Sequence, residues 1–224
     1  VVGVSAIICP MTTEKIIMKR DIWWSLGAAA ATLIMMLDMK ISRIEGLLLL
    51  CGMAAYIAVL IIDARKNRDA GDEVKAMSPL KSVLCILGGL AAIIVGGDLV
   101  VDSACDIAAA FGMSEALIGL TIVAMGTSLP ELVTSIVAAK KGDSGLALGN
   151  VVGSNIFNIL FILGSASALT TINVAPELFI DTVILMAVTL MMYFLCRSKE
   201  KTSRGEGALC VLVYAAYMAY IILR

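Results

Sequence analysis

The chain has 224 residues, of which 60% are hydrophobic and 16% charged, and its net charge at pH 7 is -1. A soluble domain of this composition would expose large apolar patches, so the composition excludes an ordinary soluble protein and indicates a membrane protein. The sequence has no histidine, no nucleophile with a base and no phosphate-binding loop, which excludes a histidine proton relay and argues against an enzyme.

Apolar stretches of about 20 residues, the length that a helix needs to cross a bilayer, follow a short apolar stub, VVGVSAIIC. The first residues lack the basic segment of a signal peptide, and we expect Val1 to lie inside a membrane helix. The six cysteines form no CxxC pair, which favours buried packing residues over a zinc site or a disulfide framework. We predict seven spans, at 20–38, 44–62, 80–110, 115–139, 146–170, 177–196 and 207–223.

Most basic residues fall in alternate loops, near 10–21, 63–81, 140–145 and 197–206. Basic loops face the cytoplasm, so we expect a multi-pass protein of the cell (inner) membrane with its C-terminus outside. Because the basic residues are divided among several loops and form no single patch, the sequence does not indicate a nucleic-acid partner. The 14 of 17 basic residues on this side are Lys15, Lys19, Arg20, Arg65, Lys66, Arg68, Lys75, Lys81, Lys140, Lys141, Arg197, Lys199, Lys201 and Arg204.

An internal repeat appears when the chain is shifted by 161 positions. KISRIEGLLLLCGMAAYIAVLI (40–61) then lies over KTSRGEGALCVLVYAAYMAYII (201–222), and 11 of the 22 positions are identical. A duplicated bundle of five helices explains the match, and because five is odd, two consecutive copies enter the membrane from opposite sides. The predicted fold is therefore an all-α multi-pass membrane protein built of inverted five-helix repeats.

The repeat also predicts the domain organisation. Residues 1–63 are the end of the first copy, a helix stub plus two spans, and 79–224 are the complete second copy. The charged segment 64–78 is a cytoplasmic connector, which we interpret as a solvated loop. We expect about 80 residues that complete the first copy to precede Val1, so the missing N-terminal repeat is a partner of this chain.

The stretch GTSLPELVTS (126–135) interrupts an apolar span with a proline and a glutamate. Proline removes a helical hydrogen bond, and the freed carbonyls near Ala124 and Gly126 are candidate oxygen ligands because broken backbone survives in a membrane only inside protein or beside a wet cavity. A glutamate in mid-span is costly unless an ion compensates it, so Glu131 is the strongest candidate site residue. Thr127 and Ser128 lie beside it.

A second polar cluster follows in GNVVGSNIFNIL (149–160). Asn150, Ser154 and Asn158 recur at four-residue spacing, so they form one stripe on a helix. Carboxylate, carbonyl, hydroxyl and amide oxygens suit calcium or sodium rather than zinc or copper. Asn150 begins its span, so capping is an alternative role.

Other polar residues of these spans have a plainer interpretation. Ser135, Thr121 and Asn155 are expected to cross-link helices. Asp98, Asp102 and Asp106 form a further stripe, for which an interfacial polar face is favoured over the attraction of cations.

GTSLPELVTS joined by a short loop to GNVVGSNIFNIL resembles the α-repeat of the sodium/calcium exchanger branch of the cation/calcium exchanger superfamily, in detail over about 95–170. The resemblance implies ten helices in two inverted halves and a site shared by both. It implies that Glu131 is one of two glutamates that hold calcium, with Thr127 and Ser128 beside it. Ser154 and Asn158 would supply oxygens, although some relatives have aspartate at the position of Asn158. No cofactor is implied beyond the transported calcium and sodium.

The expected function is therefore a secondary active antiporter that exchanges calcium for sodium by alternating access within the lipid bilayer. A calcium/proton antiporter, in which Glu131 carries protons, and a passive cation channel are the alternatives.

Overall fold

The computed structural model describes residues 1–66, 78–199 and 201–223, which form a bundle of helices joined by short turns. The first part contains α1 (Val2–Ile8), β1 (Met11–Thr12), α2 (Ile22–Met35), β2 (Lys40–Ile41) and α3 (Arg43–Lys66). The second contains α4 (Pro79–Ala110), α5 (Glu115–Ile118), α6 (Ala124–Gly126), α7 (Leu129–Lys140), α8 (Ser144–Phe157), α9 (Gly164–Leu169), β3 (Ile172–Asn173), α10 (Pro176–Lys199), β4 (Lys201–Thr202) and α11 (Arg204–Leu223).

Three π-helical turns extend these helices. Ile17–Asp21 leads into α2, Gly119–Val123 joins α5 to α6, and Asn158–Leu163 joins α8 to α9. The polypeptide is therefore continuous helix from α8 through α9, as one predicted span requires. The predicted spans agree with these helices to within a few residues at each end.

Six helical segments of the described chain are long and apolar enough to cross a membrane. They correspond to six of the seven predicted spans. The remaining prediction, 20–38, is helical throughout, but α2 has 14 residues and its π-helical lead carries Lys19, Arg20 and Asp21. The multi-pass helical fold is confirmed, with four two-residue strands that the sequence analysis did not predict.

The strands show that the repeat is inverted. β1 pairs with β4, and β2 pairs with β3, both antiparallel. Shifting by 161 positions converts β1 into β3 and β4 into β2, and the register Met11↔Thr202 becomes Ile172↔Ile41. One strand pair is therefore the symmetry mate of the other. Because β1 precedes α2 and β2 follows it, the two pairs lie at opposite ends of the bundle.

The helix contacts obey the same symmetry. α3 packs against α9, and α11 packs against α1. A Cβ atom on Gly46 would lie 2.8 Å from the Gly164 carbonyl oxygen, and one on Gly207 would lie 2.7 Å from the Gly3 carbonyl oxygen. Only glycine lets the helix backbones approach this closely. The repeat therefore positions α1 and α9 as equivalent supports for the centre of the bundle.

The helices α3 and α11 also begin in the same way. Glu45 accepts hydrogen bonds from the backbone N–H and hydroxyl of Ser42, at 2.7 and 2.8 Å. Glu206 accepts the equivalent bonds from Ser203, at 2.6 and 2.8 Å. These are capping boxes, which satisfy the free N–H groups of a helix start. The SRxEG motif of the repeat thus sets the first turn of α3 and α11.

The basic loops predicted to share one side do lie at one end. β1 pairs with β4 there, and the Thr12 N–H donates to the Ser144 hydroxyl at 3.0 Å. Arg20 reaches Asp63 at 2.7 Å, which brings the end of α3 to the same place. The predicted connector 64–78 lies mostly outside the described residues, although α3 continues to Lys66.

Candidate cation site

The helix that contains the proline is interrupted where the sequence predicts. α6 ends at Gly126 and α7 begins at Leu129, with Thr127 and Ser128 in a turn between them. Pro130 has no N–H to donate to the Gly126 carbonyl. The Ser128 N–H bonds to Met125 at 3.1 Å, a shorter step than a regular α-helix makes. The break therefore leaves carbonyls without their usual helical partners.

The oxygen atoms of this turn that are predicted to bind an ion lie on an exposed face of the helix. The Ala124 carbonyl accepts a hydrogen bond from the Thr127 hydroxyl at 3.0 Å. Ala124, Thr127 and Ser128 are all exposed in the described chain. The Ser128 side chain does not cap α7. The Ser128 hydroxyl and the remaining lone pair of the Ala124 carbonyl are therefore free to meet a ligand from outside this helix.

Glu131 lies in the first turn of α7 and is partly buried. Its Oε2 atom is buried and has no hydrogen-bond partner. No lysine or arginine of the described residues forms an ion pair with it. A buried carboxylate oxygen without a partner is costly, and several kcal/mol is the order of that cost for an isolated charge. A bound cation would remove this penalty.

Asn150 joins α8 to α7. Its Nδ2 atom donates to the Glu131 carbonyl at 3.1 Å, to the Thr134 hydroxyl at 2.9 Å and to the Ser135 hydroxyl at 3.0 Å. The Ser135 hydroxyl continues to the Ala147 carbonyl at 3.2 Å. This network fixes the backbone that carries Glu131 relative to α8. Ser135 is a cross-link, as expected.

The alternative role considered for Asn150, a helix cap, is wrong. α8 begins at Ser144, and the Asp143 carboxylate caps it by accepting from the Leu146 N–H at 2.8 Å. Asn150 lies well inside the helix. Its amide nitrogen is therefore used for helix packing, and only its Oδ1 atom remains for an ion.

Ser154 and Asn158 continue the polar stripe of α8. The Ser154 hydroxyl donates to the Val151 carbonyl at 3.0 Å. Asn158 is exposed and is the first residue of the π-helical turn. Among the described residues, no hydrogen bond links either side chain to Glu131. The structure thus brings Asn150 to the Glu131 backbone but does not link Ser154 or Asn158 to Glu131.

α4 crosses the interrupted helix. A Cβ atom on Gly126 would collide with Val101 of α4, and one on Gly97 would lie 3.9 Å from the Pro130 side chain. Gly126 is therefore needed for close packing at the break. Asp98, Asp102 and Asp106, on the same helix, are exposed, which agrees with the favoured interpretation as a polar face.

The described residues alone do not form a complete ion site. Within them, no three acidic, cysteine or histidine side chains cluster as a metal site. Calcium takes six to eight oxygen ligands, usually with more than one carboxylate. Glu131 and its neighbours can therefore supply only part of a calcium shell.

Sequence reasoning missed the π-helical turns that flank this region. Gly119–Val123 lies directly before α6, and Asn158–Leu163 directly after α8. Such turns occur often at functional sites because they leave carbonyls out of register with their donors. The glycine that opens one turn and the asparagine that opens the other are the only local signals in the sequence.

Comparison with known proteins identifies relatives over nearly the whole chain. The family described as sodium/calcium exchanger protein matches residues 81–223. The putative antiporter CaxA of Alkalimonas amylolytica is 33% identical over 230 residues, which cover 97% of this chain and 72% of that protein. The sodium/calcium exchanger MaX1 of Methanosarcina acetivorans is 35% identical over 142 residues, 63% of this chain and 41% of the relative.

A solved structure has the same fold. The sodium-calcium exchanger NCX_Mj, soaked without sodium and calcium, superimposes with a TM-score of 0.78 at 32% identity. The match covers 99% of this chain and 71% of that chain. The helix arrangement described above is therefore shared with an exchanger of known structure.

Proposed function

Because the chain belongs to the sodium/calcium exchanger family, we propose that it exchanges calcium for sodium across a membrane by alternating access, with Glu131 as an acidic ligand of the transported ions. The single observation that carries this proposal is the buried Oε2 atom of Glu131, which has no hydrogen-bond partner. A cation that visits this oxygen accounts for a glutamate beside a broken membrane helix.

The oxygen ligands around Glu131 suit hard cations such as calcium and sodium. We propose that the Ala124 carbonyl, the Thr127 and Ser128 hydroxyls, the Ser154 hydroxyl and the Asn158 amide oxygen join the Glu131 carboxylate. The open face of the turn, where Thr127 and Ser128 are exposed, supports this ligand set. Calcium and sodium compete for the same oxygens, so the two cannot occupy the site fully together. This competition couples their movements.

We propose that a repeat partner completes the site. Glu131 is one carboxylate, and the inverted repeat predicts an equivalent helix pair with a second carboxylate from the N-terminal repeat of the same protein. The chain spans 72% of the length of CaxA, and the family resemblance supports such a counterpart. Two carboxylates would neutralise one calcium ion or two sodium ions.

Asn150 has a different role in the proposal. Because its amide nitrogen contacts the Glu131 carbonyl and two hydroxyls of α7, it positions the acidic residue. Any direct contact with an ion would come through its Oδ1 atom alone. The other asparagine, Asn158, is a neutral ligand, so the site has one negative charge fewer than it would have with an aspartate there.

Alternating access requires an element that moves past the ligands. We propose α4 for this role, together with its repeat counterpart. Gly97 and Val101 of this helix lie against the break beside Glu131, so a shift of α4 would change access to the carboxylate. We place the basic end of the bundle in the cytoplasm of an inner-membrane protein and the C-terminus outside.

The direct test is calcium uptake into vesicles that contain the full-length protein, driven by an outward sodium gradient. We expect Glu131→Gln to reduce uptake to that of protein-free vesicles, because the amide cannot supply the charge. The matched control is Glu115→Gln, which removes an exposed glutamate from the start of the same helical segment and should leave uptake unchanged.

Flux measurements with other ion gradients distinguish the calcium/proton antiporter and the passive channel from sodium exchange. Uptake driven by a pH gradient without sodium would assign proton coupling instead. Calcium flux that responds to no second ion gradient would indicate a channel. Normal sodium-driven exchange in the Glu131→Gln variant would contradict the proposed site.

A further inference from the structure

A groove runs along the outer side of α2, between this helix and α3. It has a volume of about 460 Å³. Its walls include Gly27, Ala31, Met35 and Gly52, which form an apolar channel. A Cβ atom on Gly27 would meet nothing within 4 Å, so the channel is open at this position. Its shape and lining suit a single acyl chain.

The mouth of this groove is basic and aromatic. Lys19 and Trp23 line its end, and Lys19 also lines a second pocket of about 360 Å³ with Arg197. Among the described residues, neither Lys19 nor Arg197 forms an ion pair. Arg197 donates to the Tyr193 hydroxyl at 2.8 Å and lies over that ring. Within the described part of the chain, the mouth therefore carries two positive charges without an acidic partner.

Arg20 joins the two helices at the mouth of the groove, and its positive charge is neutralised by two carboxylates. Its guanidinium bonds both oxygens of Asp21, at 2.7 and 3.2 Å, and reaches Asp63 of α3 at 2.7 Å. Tyr56 donates to the buried Asp21 carboxylate at 3.2 Å. The start of α2 and the end of α3 are thus clamped, and the position of Lys19 is fixed by this frame.

The fold does not require these charges, as the repeat shows. The positions related to Lys19, Arg20 and Arg197 by the 161-residue shift are Ile180, Asp181 and Met36. The two positive charges are thus confined to one end of the bundle. At that end Trp23 meets Tyr193 edge to face, with 5.5 Å between the ring centres, as is typical of a membrane interface.

The repeat also indicates that α2 keeps this face free. The segment of α5 to α7 packs chiefly against α8, α1 and α4, while α10, the counterpart of α2, packs against α2 and the strand β4. The counterpart of the α5 to α7 segment in the first repeat should therefore pack away from α2. The groove then faces lipid.

We propose that this groove binds an anionic phospholipid, with the phosphate between Lys19 and Arg197 and one acyl chain along Gly27 and Gly52. Basic pockets between membrane helices on the side of the basic loops attract anionic headgroups. The proposal is independent of the exchange mechanism, because none of these residues belongs to the candidate cation site.

The test is native mass spectrometry of the full-length protein with dioleoyl phosphatidylglycerol or dioleoyl phosphatidylcholine. We expect the anionic lipid to be retained more strongly. Lys19→Gln with Arg197→Gln should weaken its retention about 25-fold, since each charge near the surface contributes about fivefold. Lys40→Gln with Arg43→Gln, the same change at the other end of the bundle, should have no effect.

A second variant tests the acyl channel. A Cβ atom at Gly27 meets nothing within 4 Å, so Gly27→Leu places its side chain in the groove and should reduce retention of the anionic lipid even with both charges present. Gly88→Leu is the control, because it adds the same side chain at another open glycine of a membrane helix. Equal retention of the two lipids, or equal losses in the two charge variants, would overturn the proposal. So would an unchanged affinity in Gly27→Leu.

Discussion

The junction of α3 with α9 and the break between α6 and α7 treat polar groups in opposite ways. At the junction, the Ser42 and Glu45 side chains satisfy the helix start, and Gly46 lies against the backbone of α9. At the break, Glu131 keeps a buried oxygen without a partner, and the hydroxyls of Thr127 and Ser128 lie at an open face. The start of α3 therefore satisfies its polar groups internally, whereas the break leaves a carboxylate oxygen that a cation can satisfy.

The largest expected effect on stability lies at the junctions. Gly46→Ala would push a Cβ atom against the backbone of α9, and Gly207→Ala would do the same to α1. We expect each to lower the free energy of unfolding by about 1–3 kcal/mol, and by similar amounts, because the contacts are related by the repeat. Denaturant unfolding of the purified protein measures this.

Gly27→Ala is the control for those substitutions. A Cβ atom there meets nothing within 4 Å, so alanine should leave stability unchanged or raise it slightly. A large effect at Gly46 with none at Gly207 would show that the two junctions are not equivalent.

Asn150 connects α8 to the helix that carries Glu131, so its substitution affects both packing and the candidate cation site. Asn150→Ala removes the bonds to Glu131, Thr134 and Ser135 and should lower stability by about 1–2 kcal/mol. It should also raise the KM for calcium in the flux assay while leaving some exchange, because Glu131 remains. Asn155→Ala on the same helix is the control, because among the described residues the Asn155 side chain makes no hydrogen bond, contrary to the cross-link expected from the sequence. Unchanged stability with complete loss of calcium binding would instead make Asn150 a direct ligand.

The smallest expected effect concerns the capping boxes. Ser42→Ala and Ser203→Ala each remove the hydroxyl that accepts from the N–H of the glutamate three residues later. Each should cost about 1 kcal/mol in the free energy of unfolding. The double variant should cost about the sum, because the two boxes are separate. Thermal or denaturant unfolding checks both values, and a clearly unequal pair would contradict the symmetry.

Much of this architecture is predictable from the sequence because it rests on strong local signals. Apolar length sets the spans, Pro130 sets the break, and the SRxEG motif reveals both the repeat and the starts of α3 and α11. The helix bounds agree with the predictions because each of the six apolar stretches has at least the roughly 20 residues needed to cross a bilayer. The inverted orientation followed from the odd number of helices.

The remaining features depend on contacts that are distant in sequence. The two-residue strands are too short for a periodic signal, and their pairing becomes visible only when the helices are packed. The Asn150 side chain could turn its oxygen to an ion or its N–H groups to α7, and only the position of α7 decides between them. Likewise, the π-helical turn that begins at Asn158 has no periodic signal in the sequence, because the apolar stretch NILFIL is also compatible with a regular α-helix.

The most direct test of the central claim is calcium titration of the full-length protein by isothermal calorimetry in sodium-free buffer, with the wild type, Glu131→Gln and Glu115→Gln compared. We expect saturable binding in the wild type and in Glu115→Gln, competition by added sodium, and no measurable binding in Glu131→Gln. Calcium binding of unchanged affinity in Glu131→Gln would contradict it.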